Sequence, residues 1–349
     1  MQFSHKTRLF ILVIALLLWA TVFTSASPQE EPDREVSVYS HRHYEVDQRL
    51  FEIFTEETGI AVNVVNAGAD ELIQRLLAEG ERTPADILIT VDAGRLYRTK
   101  EAGLLQAISS AHLEARIPAH LRDPEGFWFG LTKRARVIVA DKDRVAAGEI
   151  LNYEDLADPE WSNRVVVRSS SNIYNQSLFA SIVAAHGEDR AREWAEDFVG
   201  NLARDPKGND RDQMKAIAAG IADIALVNTY YVGLMQSSDA PEERAVAENL
   251  RIVFPNSAGR GTHVNVSGAG ITAYAPNPDN AIELLQFLVS DRAQAEYSAA
   301  NFEYPVVEGV EPNELVAAWG LFEEDKLSLV RLGELNRVAV TIMDEVGWK

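Results

Sequence analysis

Four tyrosines stand where apolar runs end. Tyr230 and Tyr231 are adjacent in Asn228-Thr229-Tyr230-Tyr231, directly after Ile221-Ala222-Asp223-Ile224-Ala225-Leu226-Val227. Tyr174, in Ser169-Ser170-Ser171-Asn172-Ile173-Tyr174, follows Val165-Val166-Val167, and Tyr44, in His41-Arg42-His43-Tyr44, follows Val36-Ser37-Val38-Tyr39. Short apolar runs of this kind read as buried strands. A tyrosine at a cleft rim ordinarily uses its hydroxyl as a hydrogen-bonding tip, but four at three strand exits point to one shared site. A free phenol ionises only near pH 10. A hard trivalent cation expels that proton, because bound metal inverts the usual acid–base order. Phenolate is a hard oxygen donor, suited to ferric iron rather than to zinc or calcium.

That chemistry sets conditions on the neighbours. Four phenolates overcompensate Fe(III) by one charge, so a nearby cation such as Arg134 would help. Adjacent residues of a strand face opposite ways, so Tyr230 and Tyr231 can reach one ion only from a turn or the first turn of a helix. Asn228 or Thr229 can cap such a helix. His43 is a candidate fifth ligand, His41 a rim group, and Asp92 in Thr90-Val91-Asp92-Ala93-Gly94 a cap for the helix that follows it. There is no Gly-x-Ser-x-Gly, His-Glu-x-x-His or phosphate-loop pattern.

The elements that position these residues alternate short apolar runs with amphipathic helices from Val36 onward. The spacing predicts helices over Val46 to Glu57 and Asp70 to Glu79, and strands over Ile60 to Val65 and Ile87 to Ile89. Such a βαβαβ rhythm implies an α/β fold with a mainly parallel sheet covered on both faces. The phrase Ala85-Asp86-Ile87-Leu88-Ile89 returns as Ala222-Asp223-Ile224-Ala225-Leu226, each time after a helix ending near a glycine, which suggests two similar lobes. The stretch from Gly126 into Val137 reads as the crossing between them. Ile271 to Tyr274 is expected as a strand and Asn280 to Ser290 as a helix, back in the first lobe. The tail from Glu311 to Lys349 reads as helical. The organisation expected is a signal peptide at 1–26, a flexible leader at 27–34, lobe 1 at 35–130 with 268–305 returning to it, lobe 2 at 131–267, and a C-terminal helical tail at 306–349. Two lobes joined by crossing strands leave an interlobe cleft and a hinge.

Lys6 and Arg8 precede an apolar stretch from Leu9 to Phe23, and Thr24-Ser25-Ala26 offers the small residues a signal peptidase accepts. The expectation is export to the periplasm, with an uncleaved N-terminal anchor as the other reading. The absence of cysteine excludes a disulfide framework and thiolate metal sites. A net charge of −20 argues against nucleic acid as a partner, since phosphates demand a basic surface. It favours solubility and draws cations at long range.

With these residues in view, the chain resembles the periplasmic ferric-ion-binding proteins of bacterial iron ABC importers, in particular their cyanobacterial-type branch. The resemblance rests on Tyr39-Ser40-His41-Arg42-His43-Tyr44, Pro84-Ala85-Asp86-Ile87 with Asp92-Ala93-Gly94, Arg134-Ala135-Arg136-Val137-Ile138-Val139, Asn172-Ile173-Tyr174-Asn175 and Asn228-Thr229-Tyr230-Tyr231. Val264 to Gly270, Phe302-Glu303-Tyr304-Pro305-Val306 and the ending Asp344 to Lys349 extend it over essentially the whole chain after residue 26. It implies a two-lobed type II periplasmic-binding fold and Fe(III) held by tyrosinates Tyr44, Tyr174, Tyr230 and Tyr231. It also implies His43 beside Tyr44, Arg134 near the metal, and delivery by a monomer to an inner-membrane permease and its ATPase. Some relatives carry an arginine shortly after the tandem tyrosines. Val232-Gly233-Leu234-Met235-Gln236 has no cation there, which leaves Fe(III) against Fe(II), and the need for an added carbonate or phosphate, open at this point.

Two other functions compete. The same fold could bind an organic solute of thiamine or polyamine type, which would call for acidic and aromatic side chains in the cleft. A metal-dependent hydrolase built on His41 and His43 is the alternative from the enzyme class; the expectation is that the chain is not an enzyme.

Overall fold

The computed structural model describes residues 34–349, so the expected signal peptide and nearly all of the leader lie outside the described residues. In chain order the strands are β1 Glu35–Ser40, β2 Ala61–Asn66, β3 Ile87–Val91, β4 Phe129–Asp141, β5 Val165–Val166, β6 Ile224–Asn228, β7 Leu250–Val253, β8 Val264–Ile271 and β9 Tyr304–Pro305. The helices are α1 Glu45–Thr58, α2 Ala69–Glu79, α3 Ala93–Glu101, α4 Ala111–Arg116, α5 Ile173–His186, α6 Glu188–Gly200 and α7 Asp210–Ala218. They continue with α8 Thr229–Gln236, α9 Pro241–Glu248, α10 Pro278–Leu288, α11 Asp291–Asn301, α12 Glu314–Ala317, α13 Val330–Glu334 and α14 Asn336–Glu345. Among the described residues no helix is long and apolar enough to cross a membrane.

The strands run in the order β2-β1-β3-β8-β4-β6-β5, with β7 and β9 also paired to β4. β1 pairs in parallel with β2 and β3, and β5 with β6, as the βαβ rhythm requires. Every pair that includes β4 or β8 is antiparallel. β4 is the crossing predicted after Gly126. Its Phe129–Ala135 half lies against β8, and from Arg136 it pairs with β6 instead.

Two boundaries differ from the sequence reading. The strand expected over Ile271 to Tyr274 spans Val264–Ile271, with Gly268 and Gly270 inside it. Glycine there looks like a break, but it serves close approach: a Cβ on Gly268 would meet the Phe129 carbonyl oxygen at 2.7 Å, and one on Gly270 the Phe127 oxygen at 2.6 Å. The tail is helical only in α12, α13 and α14. Its last two helices pack on α3, α5 and α6, and Trp348 is fully buried against Phe198 at 4.8 Å between ring centres.

Candidate metal centre

All four tyrosines sit at helix N-termini. Tyr44 is the N-cap of α1, Tyr174 the second residue of α5, and Tyr230 and Tyr231 the second and third of α8. β6, buried throughout, delivers the tandem pair directly into a helical first turn, as two neighbours must be placed to face one point. Unpaired N–H groups and the macrodipole make such termini favourable to anions. The expected cap on α8 is absent: Asn228 Oδ1 instead accepts from Arg136 Nη1 at 3.1 Å, and Thr229 Oγ1 accepts from the Ala135 N–H at 3.3 Å. These bonds tie the tandem pair to the crossing strand. Asn172 does cap α5, accepting from the Tyr174 N–H at 3.1 Å.

Tyr230 Oη donates to Tyr174 Oη at 3.3 Å, and the rings of Tyr230 and Tyr231 lie 4.2 Å apart. Burial holds the Tyr230 phenol well above its ordinary value, and Tyr174, Tyr231 and Tyr44 push it further because each opposes a second negative charge nearby. Tyr44 is raised by burial and then by Glu303, with Arg42 opposing and Tyr174 and Tyr231 adding to the rise. Tyr231 is raised by burial, Tyr174 and Asp210, while its bond to Tyr230 and the charge of Arg168 pull the other way. The structure thus brings Tyr44, Tyr174, Tyr230 and Tyr231 into one neighbourhood, with burial favouring the protonated form of Tyr44, Tyr230 and Tyr231.

His43 is exposed beside them, its ring stacked on Tyr44 at 5.8 Å between centres. His41 stands apart: burial, then Arg95 and His43, lower its imidazole to about 4. Among the described residues no group of three His, Asp or Glu side chains could hold a metal ion, which leaves the hydrolase reading without a ligand set.

The guanidinium of Arg134 lies 5.3 Å from the Tyr174 ring centre and 3.8 Å from Asp92. Neither of its terminal nitrogens has a hydrogen-bond partner among the described residues. Asp92 caps α3 through the Gly94 N–H as expected, at a φ of 90°, and its carboxylate also accepts from Ser177 at 2.8 Å and Asn265 at 2.9 Å. A cavity of about 10 Å³ behind Tyr174 is lined by Asp92, Arg134, Arg136 and His263.

Sequence reasoning missed the second tier. Asp210 accepts from Arg136 Nη1 at 2.7 Å and from the Asn228 N–H at 2.8 Å, and it lies 3.4 Å from Arg168. On the other side Arg42, buried under Tyr44 with its guanidinium 5.0 Å from that ring centre, pairs with both Asp47 and Glu303 at 3.1 Å. An arginine inside an apolar strand, Arg136, was the available signal, since such a charge demands a buried partner.

The fold and this site define a two-lobed α/β binding protein with an interlobe cleft. The chain belongs to the bacterial extracellular solute-binding proteins, whose family model matches residues 82–318. It is 50% identical over 316 residues to iron uptake protein A1 of Synechocystis sp. (strain ATCC 27184 / PCC 6803 / Kazusa), covering 90% of this chain and 88% of that one. It is 27% identical to the major ferric iron-binding protein of Neisseria meningitidis serogroup B, over 96% of this chain and 99% of the relative. The solved Trichodesmium protein (IdiA, FutA), in complex with iron and citrate, superposes with a TM-score of 0.89 at 50% identity, over 90% of this chain and 100% of that one.

Proposed function

We propose that this protein captures ferric iron in the interlobe cleft through Tyr44, Tyr174, Tyr230 and Tyr231, with His43 as a fifth donor and Arg134 as a counter-charge. The observation that carries this reading is the convergence of four phenols on one neighbourhood, with the Tyr230 and Tyr174 hydroxyls 3.3 Å apart, at three helix N-termini. Four phenols, with burial holding those of Tyr44, Tyr230 and Tyr231 above their ordinary value, suit a hard, highly charged cation, because such an ion pulls the protons off at neutral pH. The printed names of the relatives, iron uptake and ferric iron-binding proteins, support the same cargo.

Tyr44 comes from the first lobe (35–130 with 268–305) and the other three from the second (131–267), so binding draws the lobes together about β4 and β8. The closed protein, a periplasmic monomer exported by the cleavable segment at 1–26, then delivers iron to an inner-membrane permease and its ATPase. Release follows acid, because protons compete for phenolate, and reduction, because Fe(II) attracts the phenolates less. The test is the visible spectrum of metal-stripped protein on adding ferric citrate, repeated with Tyr174→Phe and Tyr230→Phe. A red-orange phenolate-to-iron band that shifts or vanishes in the variants supports the reading. Tight colourless binding of iron would replace Fe(III) by Fe(II) at the same cleft, and no binding would return the organic-solute function to the front.

A further inference from the structure

Arg168 follows β5 at the rim of the second lobe, and no motif in the sequence marks it. Its guanidinium lies 5.6 Å from the centre of the Tyr174 ring, and that of Arg134 lies 5.3 Å from the same centre. Its contact with a carboxylate is loose: Nη1 is 3.4 Å from Asp210, whose other oxygen is taken by Arg136 at 2.7 Å and the Asn228 N–H at 2.8 Å. Its Nε is buried with no hydrogen-bond partner among the described residues. The positive charge of Arg168 is therefore only partly spent on Asp210 and is free to act on the phenols next to it. Burial opposes the charged form of Arg168, while Asp210 and then Tyr231 and Tyr174 favour it.

The backbone of Arg168 is fixed from behind. Its carbonyl accepts from Asn175 Nδ2 at 2.8 Å and from the indole N–H of Trp348 at 3.0 Å. Trp348 is the penultimate residue of the chain, fully buried among Phe179, Trp194 and Phe198. The C-terminal segment thus reaches the site through one hydrogen bond.

We propose that Arg168, anchored by Trp348, is a second counter-charge for the phenolate cluster, a positioning residue that strengthens Fe(III) binding without touching the ion. This rests on the tyrosinate reading of the site. Fe(III) with four phenolates carries one negative charge, and reduction adds another. A cation some 6 Å away stabilises both, the reduced state more. It also lowers the energy of the phenolate electrons, so that the charge-transfer band moves to shorter wavelength.

The experiment titrates metal-stripped protein and its Arg168→Gln, Arg168→Met, Arg168→Lys and Trp348→Phe variants with ferric citrate. It reads the band position, the citrate-competed affinity and the Fe(III)/Fe(II) midpoint potential. Loss of the charge should weaken Fe(III) binding by roughly ten- to a hundredfold, a magnitude set by one charge at that distance in a partly buried site. The same loss should move the band to longer wavelength and make the potential more negative. Lysine should restore all three readings, and Trp348→Phe should shift the band in the same direction by less. A role confined to packing would leave band and potential unmoved and would not be rescued by lysine. Gln and Met variants that match the wild type in band and potential overturn the proposal. An unshifted band in Trp348→Phe overturns the anchoring half. If the Gln and Met variants fail to fold, a shifted band in the lysine variant, where the charge is kept, equally overturns it. Absence of any band in the wild type sinks the tyrosinate reading instead, so the two failures are distinct.

Discussion

The two sides of the cleft handle charge in opposite ways. On the first lobe one tyrosine, Tyr44, stands over Arg42, whose charge is doubly matched by Asp47 and Glu303 at 3.1 Å each. Around the other three tyrosines, Arg134, Arg136 and Arg168 face Asp210 and, reaching in from the first-lobe segment, Asp92. The groups under Tyr44 thus sum to one negative charge, and those around the other three tyrosines to one positive charge. Negative surroundings oppose a phenolate and positive ones favour it, so on the tyrosinate reading Tyr174, Tyr230 and Tyr231 would hold the ion and Tyr44 would complete its coordination. On that reading iron would be captured before the cleft closes, with Tyr44 arriving last.

Removing donors from the two sides gives the largest expected difference. Tyr230→Phe combined with Tyr231→Phe deletes two of the four proposed donors, both from the side that favours them, and Fe(III) affinity should fall at least about a thousandfold, on the order of 4 kcal/mol. Tyr44→Phe should retain a coloured complex, weakened by roughly ten- to a hundredfold, with faster loss of iron to a competing chelator. Citrate-competed titrations of both variants decide it. Equal losses would erase the distinction between holding and closing.

Next in size is the carboxylate tier, read as stability. Asp210 is fully buried and faces two arginines, so Asp210→Asn strands Arg136 in the interior and should cost about 3 kcal/mol in urea denaturation of the metal-free protein. Glu303→Gln leaves Arg42 still paired with Asp47, and the cost should be about 1 kcal/mol. It should also ease ionisation of Tyr44, since Glu303 is the nearest charge raising it.

What was legible in the sequence follows from the range of each signal. Period and apolar runs placed β1, β3, β6, α1 and α2, and the tyrosines at strand exits, because those cues are local. The crossing was visible as a long apolar strand after Gly126. The glycines of β8 misled, because the reason for them is the close approach of the Phe129 and Phe127 backbone, which is distant in sequence. Arg42 with Glu303 and Arg136 with Asp210 lie 261 and 74 residues apart, and no spacing rule reaches that far. Asn228 looked like a helix cap and is one by backbone position, but its side chain is claimed by Arg136. The donors could be read from the chain; the charges that tune them could not, because they are assembled only when the two halves of β4 meet their separate sheets.

The smallest effect is a pH slope, and it again separates the sides. His41, in the first-lobe loop, is lowered to about 4 by burial and the charges of Arg95 and His43. His263, just before β8 and beside Arg134 and Arg136, is held well below its ordinary value by burial and then by Arg260 and those two arginines. A histidine with a depressed folded pKa resists a proton that the unfolded chain accepts near pH 6.5. Stability is therefore complete above that pH and declines as the pH falls, by up to about 1.4 kcal/mol per unit for each such group. The His41 contribution should end near pH 4, where the folded protein takes up the same proton. Denaturation of metal-free protein across this range, compared with His41→Gln and His263→Gln, isolates each slope whatever the variants do to the intercept. A His263→Gln protein that keeps the full slope would place the acid sensitivity of the fold in the first-lobe loop alone, and the charge surplus of the second lobe would then be silent toward protons that do not sit on its tyrosines.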